Sequence, residues 1–162
     1  MKKRLSVLTG AILLSLFAVT ALSSAAAGDY AKGRGTTTQD QFSFMARGTG
    51  AGDRADGNWS DSFKLSSGKT ATLTGDVTCM LIVGRGASIG GRITSIKPAG
   101  AAAAFGNPQG FMVDVTDNAK PSEGLDVYGW FTTAFPPPAC GPPGGGGNSV
   151  ITGDIELTPG TP

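Results

Sequence analysis

The sequence predicts an all-β domain, an antiparallel sandwich or closed barrel of about seven or eight short strands. Three observations carry that expectation. Apolar residues recur with period two in one segment after another. No stretch beyond the N-terminal apolar run shows the i, i+3, i+4, i+7 spacing of an amphipathic helix. Gly and Pro, 26 and 10 of the 162 residues, punctuate the chain at intervals of roughly 8–15 residues, as turns between short strands require.

The elements follow in order. Residues 38–46 set Phe42, Phe44 and Ala46 on one face against Gln39, Gln41 and Ser43 on the other, the pattern of a half-buried strand. Residues 58–65 repeat it with Trp59, Phe63 and Leu65 opposite Asn58, Ser60, Ser62 and Lys64, and the turn-rich segment between the two predicts a hairpin. Residues 70–83 carry Ala71, Leu73, Val77, Cys79 and Leu81 at odd positions, interrupted at Thr74-Gly75-Asp76 by a bulge or tight bend. Gly84-Arg85-Gly86 turns the chain into residues 87–96, where Ile89 and Ile93 share a face. Residues 97–110 read as a loop, because four alanines are too few for a stable helix on their own. Residues 111–117 alternate most cleanly, with Phe111, Val113 and Val115 inward and Met112, Asp114 and Thr116 outward. Residues 126–133 place Tyr128 and Trp130 on one face and Val127 and Phe131 on the other. Residues 149–157, with Ile151, Ile155 and Leu157, close the domain and are expected to pair with the first strand, hiding both edges.

Residues 1–27 have the layout of an export signal: basic Lys2, Lys3 and Arg4, an apolar run from Leu5 to Leu22, and a small-residue end at Ala25-Ala26-Ala27, after which cleavage is placed. Residues 28–37 are then expected as a flexible N-terminal segment and residues 38–158 as one β domain. Residues 134–148 form a Pro/Gly-rich loop within it, and residues 159–162 a disordered tail. Removal of the signal turns the net charge from +1 to −2, leaving only scattered basic residues. A nucleic-acid partner therefore loses its electrostatic basis, and no integral membrane segment remains. Localisation is predicted to be extracellular or periplasmic. In that oxidising compartment the two cysteines, Cys79 and Cys140, are expected as one disulfide, the alternative being a pair of buried free thiols.

The absence of His removes Ser-His-Asp and Cys-His nucleophile systems and His-ligated zinc. Asp53, Asp56, Asn58 and Asp61 offer oxygen donors in a Gly-rich stretch, a candidate Ca²⁺ set. Their spacing departs from the twelve-residue calcium loop, and the same residue types are what a hairpin turn demands. Asp114, Asp117 and Asp126 are candidates for a carboxylate pair of the glycosidase kind, set against a turn-capping role for Asp117 and Asn118. Gly84, Gly86, Gly90 and Gly91 lack the Lys-Ser/Thr and helix of a phosphate loop. Trp59, Tyr128 and Trp130 are a candidate ligand surface, on which exposed rings would stack against a sugar or aromatic ligand.

Val77-Thr78-Cys79, Ala87-Ser88-Ile89-Gly90-Gly91, the run from Phe111 to Asn118, and Ile151-Thr152-Gly153-Asp154-Ile155-Glu156-Leu157 together span most of the chain beyond the signal. In these motifs the chain resembles a family of small uncharacterised exported bacterial β proteins, and its layout is similar to post-COAP type domains. The resemblance implies an all-β fold and export, and brings no catalytic residue, cofactor or substrate. The combined expectation is a secreted, non-catalytic binding or structural module with a carbohydrate or other envelope component as its partner class. The alternative is an extracellular polymer-acting enzyme using the Asp carboxylates, with or without Ca²⁺.

Overall fold

The computed structural model of the chain describes residues 28–118 and 124–160; the signal segment, residues 119–123 and residues 161–162 lie outside the described residues. Nine strands run in chain order: β1 Asp29–Thr36, β2 Asp40–Gly48, β3 Ala55–Lys64, β4 Thr70–Val83, β5 Gly86–Lys97, β6 Gly110–Thr116, β7 Val127–Thr133, β8 Asn148–Ser149 and β9 Thr152–Thr158, with one helical turn, α1 Ala101–Ala104, between β5 and β6. They form one antiparallel sheet in the order β8-β7-β6-β5-β4-β3-β2-β1-β9, curled into a half-barrel. No helix among the described residues is long and apolar enough to cross a membrane.

The period-two faces converge on one core. Phe42, Phe44, Trp59, Leu73, Ile89, Phe111, Val113, Val115, Tyr128 and Ile155 are buried together inside the curl, where each large side chain gains roughly 1.5–3 kcal/mol from leaving water. Rings dominate: Phe42 stacks on Tyr128 at 3.9 Å between centroids, and Trp59 on Phe111 at 4.3 Å.

Five expectations are corrected. The segment expected to be a flexible N-terminus is strand β1, held between β2 and β9. Its inward positions include Asp29, Ala31, Gly33 and Gly35, too small and polar to signal a strand by hydrophobicity. The last strand does pair with the first, but the first is β1 rather than residues 38–46. On β4 the register shifts twice, at Thr74/Gly75 and at Val77/Cys79. The second shift turns Cys79 outward opposite Gly90 and brings Met80 inward opposite Ile89, so the odd-numbered face does not continue to Leu81. Ile151 precedes β9 and is 56% exposed, whereas Val150 takes the buried position. In the expected tail, Gly160 donates its N–H to Asp29 Oδ1 at 2.8 Å.

Residues 134–148 lie as a strap across the outer face of β4 to β7. Cys140 is joined to Cys79 by the disulfide, 61 residues apart, and its N–H donates to Gly52 O at 2.7 Å. The strands beneath present glycine to it: a Cβ on Gly90 would stand 2.6 Å from Pro137 Cγ and 2.9 Å from Cys79 Sγ. This second layer is why Ser88 and Gly90, on the outward face of β5, are buried.

The sheet's two edge strands, β8 and β9, are separated only by Val150 and Ile151, which brings the edges together as a seam. Along β9 the seam is closed by carboxylates in place of a neighbouring strand. Ile155 N–H donates to Asp126 Oδ2 at 2.9 Å and Leu157 N–H to Asp117 Oδ2 at 3.2 Å. The backbone adds Val150 N–H to Asp126 O at 2.8 Å.

Candidate functional site

At its other end the seam stays open. Pairing between β7 and β8 stops at Tyr128 and Asn148, so β7 from Gly129 onward has no strand partner on that side. The opening is a cleft of about 720 Å³ between the β1–β2 turn, the upper part of β7 and the end of the strap. That volume is within the range of small-molecule sites.

The polar wall comes from the β1–β2 turn. Thr37 Oγ1 accepts from the N–H of Gln39 at 3.1 Å and of Asp40 at 3.0 Å, a hydroxyl turn that fixes both residues at the rim. Asp40 opens β2 on its inward face, directly opposite Phe63. Burial raises its carboxyl above the ordinary value, and hydrogen bonds from the Trp130 indole and Thr37 act against that rise. Across the opening, Asn148 Nδ2 reaches Gln39 Oε1 at 3.5 Å.

The apolar wall is a set of three rings. Trp130 on β7 and Phe63 on β3 lie 5.2 Å apart at 45°, and Phe105, just beyond α1, meets Phe63 at 5.5 Å and 83°. All three are half-buried. The helical turn has a positional role here, since buried Ala101 docks it and Phe105 follows at its C-terminal end.

Beneath this opening runs a buried polar chain. Trp59 Nε1–H donates to Tyr128 OH at 2.9 Å, and that hydroxyl donates to Asp61 Oδ2 at 2.8 Å. Asp61 is fully buried, and its Oδ1 has no hydrogen-bond partner among the described residues. Burial pushes its carboxyl up to about 8, the Tyr128 hydrogen bond opposes this, and the nearby Asp40 charge adds to it. At neutral pH Asp61 is therefore mainly the neutral acid. Burial likewise holds the Tyr128 phenol well above its ordinary value.

The structure distributes the sequence candidates unevenly. Cys79 and Cys140 are joined, as expected. Trp59 and Tyr128, expected on a ligand surface, are 1% and 0% exposed; the face bearing Tyr128 and Trp130 is the core face of β7, and only Trp130 reaches the cleft. The candidate calcium set is dispersed. Asp53 lies in the β2–β3 connection, where its carboxylate accepts from Thr49 Oγ1 at 3.1 Å. Asp56 and Asn58 sit on the exposed face of β3, and strand alternation sends Asp61 to the opposite, buried face. No group of three or more acidic, Cys or His side chains suited to a metal occurs among the described residues. Asp114 Oδ2 accepts from the strap at Gly144 N–H, 2.9 Å. Asp117 and Asp126 are drawn together but serve the β9 amides, and Asp126 Oδ1 also accepts from Asn118 N–H at 2.9 Å. The interacting carboxyl pair is instead Asp40, which lines the cleft, and the fully buried Asp61, whose carboxyl feels the Asp40 charge. Sequence reasoning placed Asp61 in the candidate calcium set and gave Asp40 no role; the available signal was Asp61 standing on the same strand face as Trp59 and Phe63. Comparison with protein-family models, with curated proteins and with solved structures gave no match.

Proposed function

We propose that the chain is an exported, non-catalytic β module that binds a small ligand in the seam cleft. The observation that carries this reading is the pairing of three half-buried rings, Phe63, Phe105 and Trp130, with the polar groups of Gln39, Asp40 and Asn148 in one opening. Rings supply area and the polar groups orientation, the division of labour found in small-molecule sites. The Cys79–Cys140 disulfide supports export, as does the signal-like layout of residues 1–27. Of the carboxylates of the enzymatic alternative, Asp117 and Asp126 are engaged by β9, while Asp114 stands at the cleft wall and accepts from the strap at Gly144 N–H.

Two measurements test the proposal. Fractionation of expressing cells, with mass analysis of the product, should find a chain beginning at Gly28 outside the cytoplasm; a cytoplasmic chain retaining residues 1–27 overturns export. Amide chemical-shift mapping against a panel of soluble saccharides, amines and small aromatics should move the signals of Gln39, Asp40, Trp130 and Asn148 together, and Trp130→Ala should abolish the effect. Shifts confined to another face, or none with any compound, overturn the cleft as the site.

A further inference from the structure

Resting on that cleft, we infer that its ligand is a substituted ammonium cation with no anionic group beside the nitrogen. Among the described residues that line the opening, the charged ones are Asp40 and Asp114, and neither Lys nor Arg is present. Beside these carboxylates the lining is the uncharged amides of Gln39 and Asn148, glycine backbone, and the rings of Phe63, Phe105, Trp130 and Phe131. The Trp130, Phe63 and Phe105 rings pack against one another in tilted and edge-on contacts, 5.2 and 5.5 Å between centroids at 45° and 83°, and together form one aromatic wall of the opening. Ring faces attract cations through their quadrupole, most strongly for tryptophan. Rings cannot replace the hydration shell of a small, strongly hydrated ion, so this lining suits an alkylated nitrogen, whose positive charge is spread over methyl groups that shed water readily. Asp40 supplies the balancing negative charge at the edge of the ring set, where the Trp130 indole also meets it. The same carboxylates repel any anion carried close to the cation, which disfavours a phosphocholine headgroup and favours the free alcohol or amine.

The test uses the purified, disulfide-intact protein and follows tryptophan fluorescence and heat on titration with four probes: choline chloride, its uncharged tert-butyl analogue, phosphocholine and methyl glucoside. Choline is expected to bind at least about tenfold more tightly than the uncharged analogue, the scale of a cation–ring interaction in a partly dry site, and more tightly than phosphocholine. Asp40→Asn should weaken choline binding about tenfold and the analogue's by much less, so that the ratio between the two collapses, and Asp114→Asn provides a second charge-removing variant should Asp40→Asn fold poorly. Equal affinity for choline and the analogue, or preference for phosphocholine, overturns the inference. Binding of methyl glucoside alone, with shifts at Trp130, overturns the cation but leaves the cleft as a binding site. If none of the four probes binds, the inference fails, and the wider panel above decides whether the cleft reading fails with it.

Discussion

The Tyr128 hydroxyl donates to the Asp61 carboxyl at 2.8 Å while accepting from the Trp59 indole at 2.9 Å. One phenol thus links β7 to β3 through the core. In a medium of low dielectric such a chain is stabilising only while each member keeps its partner.

Folding stability should fall as pH rises. Unfolded, Asp61 releases its proton near the ordinary value of 3.8; folded, it holds it until about 8. Between those values the unfolded chain binds fewer protons than the native one, so the contribution is complete below about pH 4, declines through neutrality and levels off above about pH 8. Asp40, raised by burial, acts in the same direction. Thermal melts across pH 4–9 should show this decline, on the order of a few kcal/mol in all, and Asp61→Asn should flatten it. Parallel wild-type and variant curves would refute the assignment.

Tyr128→Phe keeps the ring stack on Phe42 but strips the Trp59 indole and the Asp61 carboxyl of their shared partner. A loss of about 2–4 kcal/mol in urea unfolding is expected, because two buried polar groups are left unpaired. An effect below about 0.5 kcal/mol, the scale of ordinary surface substitutions, would mean the chain contributes little.

Asp126→Ala should loosen the seam locally. The carboxylate receives N–H groups from Asn118 and Ile155, and its removal is expected to cost about 1–3 kcal/mol. Hydrogen exchange at Ile155 should accelerate, with the amides paired between β3 and β4 protected as before. Uniform acceleration across the sheet would show the seam to be part of the global cooperative unit instead.

Replacing both cysteines by Ala removes a cross-link spanning 61 residues, worth about 4 kcal/mol by the loop-entropy model. Residues 134–148 should then exchange faster. Ligand affinity should fall too, since Gly144, Gly146, Gly147 and Asn148 at the strap's end line the cleft. Unchanged exchange in the strap would show that its packing on Gly90 and Gly129 suffices.

Much of the strand content was legible because it needs only the alternation of side chains. Phe111, Val113 and Val115 declare an inward face without reference to any other residue, and the structure buries all three. β1 was not legible, because its core-facing positions include Gly33 and Gly35, small so that Phe44 on β2 and residues 150–153 have room. Their fitness is a property of the neighbours. Cys79 shows a second limit: alternation assigns it to the core, and one shift of register on β4 turns it out to meet the strap.

The candidate site was less visible still. Sequence alone determined the fold class, the one pairing open to its two cysteines and the absence of histidine chemistry, since composition, count and local period suffice for these; the structure showed the pair bonded. Only the tertiary structure decided that Trp59 and Tyr128 are core, that Asp117 and Asp126 cap β9, and that Gln39, Asp40, Phe63, Phe105, Trp130 and Asn148 share one opening. These residues come from separate parts of the chain, and they meet because the sheet curls until one segment, residues 148–158, pairs with β7 at its start and with β1 beyond it. Where that seam closes is set by which backbone amides find carboxylates, a long-range pairing that no local pattern encodes.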